Sequence, residues 1–451
     1  MSKIIDAVSV VLTCGDQIFA IQRQNFLTAF PGYWAFPGGK VEKDDSDYFL
    51  QFPQTDGLDE KLFGAVLREM KEELGIDLNQ EIQRGTINSC HYLGLAVTPD
   101  FNPFRFATHF FKIDLNKKIP FTVDTNEARV FDWMSAEALL YKYELGDLLA
   151  VPPVIKVIEI LGKNPQITHI GDLNISYDSA DFVPYIESLK GIRQIMPLSH
   201  TLPPATRTNA FLIGDDDAKK IIIDPSPKDD EEFRKFKKTL NLFGVDEILL
   251  THHHPDHIER ANELAREFHL TILLSEYTKN KILSRDPQYF NGVKTKVIKD
   301  GDVVTKWLHK DVLVMEVPGH DEGQVALYSQ DLSWFIAGDL FQGVGTVVIG
   351  GDEGDMRKYF DTLAKIINLS PKVVFPSHGI GLGGTSILEK TLNHRREREA
   401  QVYSLYSEGL SPEEMLPRLY GEVDKALWPY ALKNIYKHLE KLTLEKRIKS
   451  T

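Results

Sequence analysis

The run Thr251-His252-His253-His254-Pro255-Asp256-His257, at the end of the apolar stretch Glu247–Thr251, constrains this chain more than any other feature. A lone histidine is usually a satisfied core or surface residue. Four of them within six positions, with an aspartate among them, need another explanation. Imidazole nitrogens suit Zn²⁺ or iron, and a carboxylate adds an oxygen ligand. Residues two apart share a side, so His252 and His254 point one way, while Asp256 and His257 serve a second ion; His253 faces elsewhere and takes no role. Three later residues each follow an apolar strand: His320 in Val317-Pro-Gly-His, Asp339 in Ala337-Gly-Asp, and His378 in Pro376-Ser-His-Gly. An aspartate between two ions can bridge them, and a hydroxide they share is a strong nucleophile near neutral pH.

A second constellation lies upstream. Arg68-Glu69-Met70-Lys71-Glu72-Glu73-Leu74-Gly75 carries three carboxylates at i, i+3 and i+4, which a helix over Glu60–Leu74 projects from one face. Like charges so grouped call for compensation, and Mg²⁺ or Mn²⁺ is the hard, oxygen-seeking kind that supplies it. Phe36-Pro37-Gly38-Gly39 is a tight turn that brings backbone carbonyls toward the same place. Taken alone, the glutamates read first as a solvated helix paired with Arg68 and Lys71.

With their neighbours they do more. Gly39, Glu60, Arg68, Glu69, Glu72, Glu73 and Gly75 resemble the Nudix box, over roughly residues 3–155, with Lys40–Asp59 as an insertion between its glycine and first glutamate. A subgroup that includes coenzyme A diphosphatases carries such an insertion, and also a stretch similar to Thr98–Phe111. The resemblance implies that Glu69, Glu72 and Glu73 hold Mg²⁺ or Mn²⁺, with Glu69 and Glu72 catalytic and Arg68 orienting Glu69. Glu127 is a candidate extra carboxylate, and Arg23 and Arg105 are candidate grips on substrate phosphate. The histidine cluster resembles the metallo-β-lactamase superfamily at every ligand position. By that resemblance His252, His254 and His320 hold one metal and Asp256, His257 and His378 the other, with Asp339 bridging and Asp256 also catalytic; two Zn²⁺ are expected, with Mn²⁺ or iron as alternatives. Thr208–Gly214, Gly343–Val348 and the tail are similar to the β-lactamase-like protein 2 group, whose characterised members cut single-stranded RNA. Two departures border the site: Ile223-Asp224-Pro225-Ser226 replaces I-D-T-G, and Ile258-Glu259 stands where glycines are common.

At 451 residues the chain exceeds one core. The expected architecture is α/β and multidomain: a Nudix α/β/α fold over 1–160, a linker over 161–185, a metallo-β-lactamase αββα sandwich over 186–390, and a small winged-helix-like helical tail over 391–451. The tail starts well, with Ser411-Pro412-Glu413-Glu414 as cap, first-turn proline and acids at the helix's positive end. Its basic end, Lys446, Arg447 and Lys449, suits phosphate, or a solvated cap or dimer contact. Cys14 and Cys90 have no paired or metal-like spacing and read as small core residues, which fits a reducing cytoplasm. Met1–Ala7 lacks the pattern of a secretion signal and reads as the lead-in to a strand, and no run approaches the roughly 18 apolar residues of a membrane span. A net charge of −13 disfavours a broad polyanion-binding surface.

Two enzymatic readings follow. In the first, a Nudix head cleaves a nucleoside-diphosphate-linked substrate while the second head cuts single-stranded RNA. In the second, both heads act on small molecules, as a coenzyme A-type diphosphatase and a thioesterase. A homodimer is a family tendency for both folds. A non-enzymatic sensing role fits least, because both donor sets are complete.

Overall fold

The computed structural model describes residues 4–102, 104–175 and 178–449. Pro103, within the Thr98–Phe111 stretch, and the lead-in residues Met1–Lys3 lie outside the described residues. Contacts divide the chain into two units, 1–178 with 186–192, and 179–185 with 193–451.

The first unit is built on a sheet in the order Trp34–Ala35, Gln17–Arg23, Ile5–Cys14, Phe106–Leu115, Ile87–Val97 and Gly171–Asp172, with Ala128–Ser135 pairing Gln17–Arg23. Ile5–Cys14 is buried on both faces, so it reads as a nearly unbroken apolar run. Val8, Val10 and Leu12 face the helix Glu60–Leu74 through Phe63, Val66, Met70 and Leu74. Val11 turns the other way, toward helices Ala136–Glu144 and Pro152–Lys163. That is the α/β/α layering expected. Asp59 caps the helix by accepting from Leu62 N at 2.9 Å, and Gly75, at φ 68°, ends it in the left-handed conformation. The insertion is not an idle loop. It forms a short turn at Asp45–Tyr48 that packs on the helix and another at Pro53–Thr55 that packs on the strand Ile87–Val97, and a Cβ on Gly64 would come within 1.9 Å of Asp45 O.

The second unit has two sheets. In the first, Ile221–Ile223, Glu247–Leu249, Thr271–Leu274 and Lys294–Val297 run parallel in that order, and Ala210–Ile213 joins antiparallel to Ile221–Ile223. The second is ordered Val303–Trp307, Lys310–Glu316, Val325–Ser329, Phe335–Ile336, Val373–Phe375 and Leu382–Gly383. Phe211 and Phe375 meet between them at 5.6 Å. Helices Asp230–Asn241 and Ala261–Phe268 cover one outer face and Met356–Leu369 the other, which is the αββα sandwich. Parallel strands end together, so the histidine run leaves Leu249 at an edge where other loops converge.

All three expected boundaries are crossed by bonds or packing. Residues 161–185 are not a plain linker, because Ile170 N donates to Leu93 O at 2.6 Å and Leu173 N to Leu95 O at 2.9 Å, stitching Gly171–Asp172 onto the first sheet. So short a strand has no side-chain periodicity to read. Segment 186–192 likewise groups with the first unit, where Ala150 N donates to Ser188 O at 2.9 Å and Tyr143 Oη to Glu187 O at 2.7 Å. The tail does not begin at 391 either. One helix, Ser386–Ser407, crosses that point, with Leu388 and Leu392 in the sandwich core and Val402 in the core of the tail.

Glu399 on that helix faces Lys441 at 2.9 Å, Arg447 at 2.8 Å and His438 at 3.7 Å on the terminal segment. Burial works against its charge, but these partners hold its carboxyl down at about 2. A folded-state value below the unfolded one adds stability above the ordinary carboxylate range and loses it as pH falls. Amide-exchange protection of Trp428–Leu444 is therefore expected to drop between pH 4.5 and about 2. In Glu399→Gln protection should be lower at neutral pH and should fall less on acidification.

Candidate functional site

In the first unit the insertion sets the position of the helix carboxylates. Arg68 is buried, and its Nε donates to Asp45 at 2.7 Å while one Nη reaches Lys40 O at 2.7 Å. Its other Nη spans Glu69 at 2.8 Å and Glu72 at 3.0 Å. Asp45, 1% exposed, is the counter-charge that lets this guanidinium stay buried, and sequence reasoning missed it because it sits outside the box. Glu69 and Glu73 point inward, whereas the Glu72 side chain is 59% exposed. The three are thus not equivalent on one face, and among the described residues their donor atoms do not gather within 4.8 Å of one another. Arg68 keeps Glu69 and Glu72 apart from Glu73, which accepts from Gly38 N at 3.0 Å.

The glycine turn abuts these groups. A Cβ on Gly39 would come within 2.3 Å of Glu69 Oε1, and one on Gly38 within 2.2 Å of Val8 O. Burial pushes the Glu73 carboxyl up to about 8; the Gly38 N–H opposes this, and the neighbouring Glu69 charge adds to it. Burial also raises Glu69, against the pull of Arg68. Carboxylates that bind protons so readily would accept a cation in the same place, and an all-oxygen set suits a hard one. Glu127 joins them. Thr122 N and Asp124 N donate to the helix end at Leu74 O and Glu73 O, and Glu127 N to Asp124 O, so this loop sits at the carboxylates. Arg23 lies 3.7 Å from Glu127 and feels Glu73. Arg105 is elsewhere engaged, donating to Thr98 O at 3.2 Å. Glu60 is exposed at the helix start.

In the second unit every expected histidine and aspartate arrives at one place. His254 Nδ1 lies 3.0 Å from both His252 Nε2 and His320 Nε2. His378 Nε2 is 3.6 Å from Asp256 and 3.5 Å from Asp339, and His257 Nε2 is 3.5 Å from Asp339. His320 Nε2 is 3.7 Å from Asp339, which therefore stands between the two groups. Donor atoms fall within 4.8 Å of one another in three sets: His252, His254 and His320; Asp256, His257 and His378; and His252, His257 and Asp339.

A surrounding layer decides which ring nitrogen faces inward. Asp224 accepts from Thr251 N at 2.8 Å, Thr251 Oγ1 at 2.6 Å and His257 Nδ1 at 2.8 Å. The Thr251 hydroxyl proton is engaged in the bond to Asp224, so its oxygen accepts from His252 Nδ1 at 3.0 Å. His320 Nδ1 donates to Val348 O at 2.9 Å and His378 Nδ1 to Arg207 O at 2.8 Å. Four rings thus point Nδ1–H outward and turn Nε2 to the cavity, where it can hold a metal ion once deprotonated. His254 is turned over, with Nδ1 inward and Nε2 3.7 Å from Glu353. One shared proton cannot satisfy so many acceptors. His257 Nε2 and Asp339 Oδ1 are buried without any hydrogen-bond partner. Unmatched buried acceptors of this kind fit a Lewis acid, and nitrogen with oxygen fits a borderline metal ion.

Without a cation among them, the aspartates draw a second proton onto His257, at the place a metal ion would take. Burial alone would lower His257, but Asp339, Asp256 and Asp224 hold it well above the usual histidine range. Burial lowers His320 to about 4, with His254 adding to the effect. His253, given no role from sequence, is buried at 2.5 Å from Asp321 and is structural. Glu353 and Asp321 lay outside every motif. Asp224 was visible only as a departure from one. Cys90 is buried and Cys14 half-buried, both as free thiols.

A fold of two stacked sheets with a histidine–aspartate cluster at their edge defines a metal-dependent hydrolase. Residues 203–378 match the Metallo-beta-lactamase superfamily, 3–151 the NUDIX domain and 411–451 the Beta-lactamase associated winged helix domain. A Drosophila melanogaster protein named Beta-lactamase-like protein 2 homolog is 26% identical over 252 residues, spanning 54% of this chain and 84% of its own. A Hydroxyacylglutathione hydrolase of Francisella tularensis is 30% identical over 196 residues, 42% of this chain and 71% of its own. The fold of a beta-lactamase domain protein from Burkholderia ambifaria superposes with a TM-score of 0.51 at 21% identity, over 60% of this chain and 90% of that one. The chain belongs to the metallo-beta-lactamase superfamily, with a NUDIX domain ahead of the sandwich and a winged helix after it. It is a hydrolase, and no helix among the described residues is long and apolar enough to cross a membrane.

Replacing Asp224 by Asn keeps a residue that tolerates its φ of 50° and still accepts from Thr251, but puts N–H where His257 donates. Metal retention by the sandwich is expected to weaken about 10- to 100-fold, measured by competition with a chromogenic chelator. Unchanged retention would contradict the role given to Asp224.

Proposed function

We propose that the protein is a bifunctional hydrolase in which each head uses metal-activated water. The observation that carries this is the cluster of inward lone pairs around Asp339. His252, His254 and His320 hold one ion, Asp256, His257 and His378 the other, and Asp339 lies between. Zn²⁺ fits this nitrogen-rich set best, with Mn²⁺ or iron as alternatives. Bound there, the ions supply a hydroxide near neutral pH and a charge to stabilise the developing oxyanion. Asp256, partly open to solvent, orients that water and takes up a proton. In the NUDIX domain Glu69, Glu72, Glu73 and Glu127 supply oxygens for Mg²⁺ or Mn²⁺, and the exposed Glu72 is the base. Arg23 meets the substrate's phosphate, and the bond broken is a nucleoside-diphosphate linkage, of the coenzyme A type or similar.

For the sandwich the favoured substrate is a small acyl thioester. Hydrolysis of that class is in the printed name of the Francisella relative. Several cations of the tail also support it, because they serve the fold itself: Arg395 is buried, Arg398 donates to Leu419 O, Arg418 pairs with Glu408, and Lys441 and Arg447 pair with Glu399. A polyanion would have to compete for them, against a net charge of −13. Single-stranded RNA is the second reading, favoured by the winged helix and by a similarity to the Drosophila relative over 84% of its length.

Metal-loaded protein should be given a hydroxyacylglutathione thioester and an unstructured single-stranded RNA in parallel, with His254→Ala beside it. Thiol release that falls at least about 100-fold in the variant is expected, a loss on the scale of several kcal/mol of transition-state stabilisation. RNA cleavage that vanishes in the variant, without thiol release, would overturn the thioester reading for the second.

A further inference from the structure

Gly343–Val348, singled out in the sequence, meets the helices Ser386–Ser407 and Trp428–Leu444, which have no part in the chemistry above. Arg395, 2% exposed, donates one Nη to Val347 O and the other to Asn434 Oδ1 at 3.3 Å. Asn434, 5% exposed on the terminal helix Trp428–Leu444, accepts from Ile349 N at 2.9 Å with the same oxygen. Between these two anchored residues lies Val348, whose carbonyl accepts from His320 Nδ1 at 2.9 Å. Gly350 follows, so close to the terminal helix that a Cβ there would come within 2.8 Å of Lys433 Cβ. Three residues later Glu353 faces His254 Nε2 at 3.7 Å. One loop therefore supplies the outward partners of two of the three histidines in the first donor set, and the tail holds that loop from both sides of the peptide that matters.

We infer that the winged-helix tail, together with the helix Ser386–Ser407 that leads into it, acts as a clamp on this loop, and that Arg395 and Asn434 are positioning residues that aim His320 and His254. The inference rests on the reading that the cluster holds metal. Val348 can orient His320 only if its carbonyl stays put, and an extended three-residue segment has no helix or ladder of its own to hold it. The two side chains replace that ladder: Asn434 takes the N–H of Ile349, and Arg395 caps the carbonyl of Val347. Arg395 also lies 5.9 Å over the ring of Tyr359, whose hydroxyl donates at 2.5 Å to Leu340 O, next to Asp339. The tail thus reaches the bridging position by a second route.

The test uses the full chain. Asn434→Leu fills a similar volume but strips Ile349 N and Arg395 of their acceptor, whereas Asn434→Asp keeps the acceptor for both. Glu399→Gln weakens the same tail while touching neither the loop nor a donor. Each protein is loaded with Zn²⁺ and dialysed against graded chelator; bound metal per chain is then counted by mass spectrometry, beside a thermal melt. Asn434→Leu should release part of its metal at about 10- to 100-fold lower chelator than wild type, the usual effect of losing an outer-layer partner. Asn434→Asp and Glu399→Gln should hold metal like wild type, although Glu399→Gln melts earlier. If Asn434→Leu melts early but keeps its metal, the tail is only a structural cap and the inference fails. It fails too if Glu399→Gln sheds metal in the same way. Should Asn434→Leu not fold, Arg395→Met takes its place with the same expectation. Wild-type protein that takes up no metal would instead overturn the proposed function.

Discussion

Lone pairs that point at each other inside a protein are unstable unless something positive sits among them, and the sandwich is organised around that demand. His252, His257, His320 and His378 each turn Nε2 inward, because Thr251 Oγ1, Asp224 and the carbonyls of Val348 and Arg207 accept from Nδ1. None of these partners is near its histidine by chance of sequence. Thr251 and Asp224 sit at the ends of neighbouring parallel strands, and Arg207 and Val348 on loops at the same edge of the sandwich. The parallel order of Ile221–Ile223 and Glu247–Leu249 puts Asp224 beside Thr251, and through it beside His257. The inner donors depend on the outer layer, and the outer layer depends on the sheet register.

The first unit answers the same problem differently. Its cluster is of like-charged carboxylates, and the buried cation already present, Arg68, belongs to the protein. Arg68 can be there only because Asp45 lies against it, and Asp45 can be there only because residue 64 is a glycine. The insertion that separates Gly39 from Glu60 therefore supports the site and does more than lengthen a loop. Both units place anionic or electron-rich groups in low-exposure positions where each additional positive charge is strongly favoured.

Most of this was legible in advance where chemistry and spacing coincide. The clustered histidines, Asp256 and Asp339 stood out because each follows an apolar strand, and the helix Glu60–Leu74 because its caps and period agree. Other parts were hidden for physical reasons. Glu353 and Asp45 lie in irregular segments, where residue type alone does not tell a buried partner from a solvated acid. The strand Gly171–Asp172 is held by backbone bonds and so leaves no pattern. The helix Ser386–Ser407 serves two cores in turn, so no change of composition marks the passage from one to the other. Glu72 read as equivalent to Glu69 and Glu73, but helix position does not foresee that its side chain stays exposed while the other two are buried.

The tail links these themes. Its basic residues suggested a surface for phosphate, but several of them are built inward, onto Glu399 or onto the loop beside the cluster. The most direct test of the central claim is diffraction from crystals of the metal-loaded protein, measured at the absorption edge of the metal. Two anomalous peaks in the sandwich are expected, one bounded by His252, His254 and His320, the other by Asp256, His257 and His378, with Asp339 between. An empty cavity, or a single ion bound away from Asp339, would contradict the account.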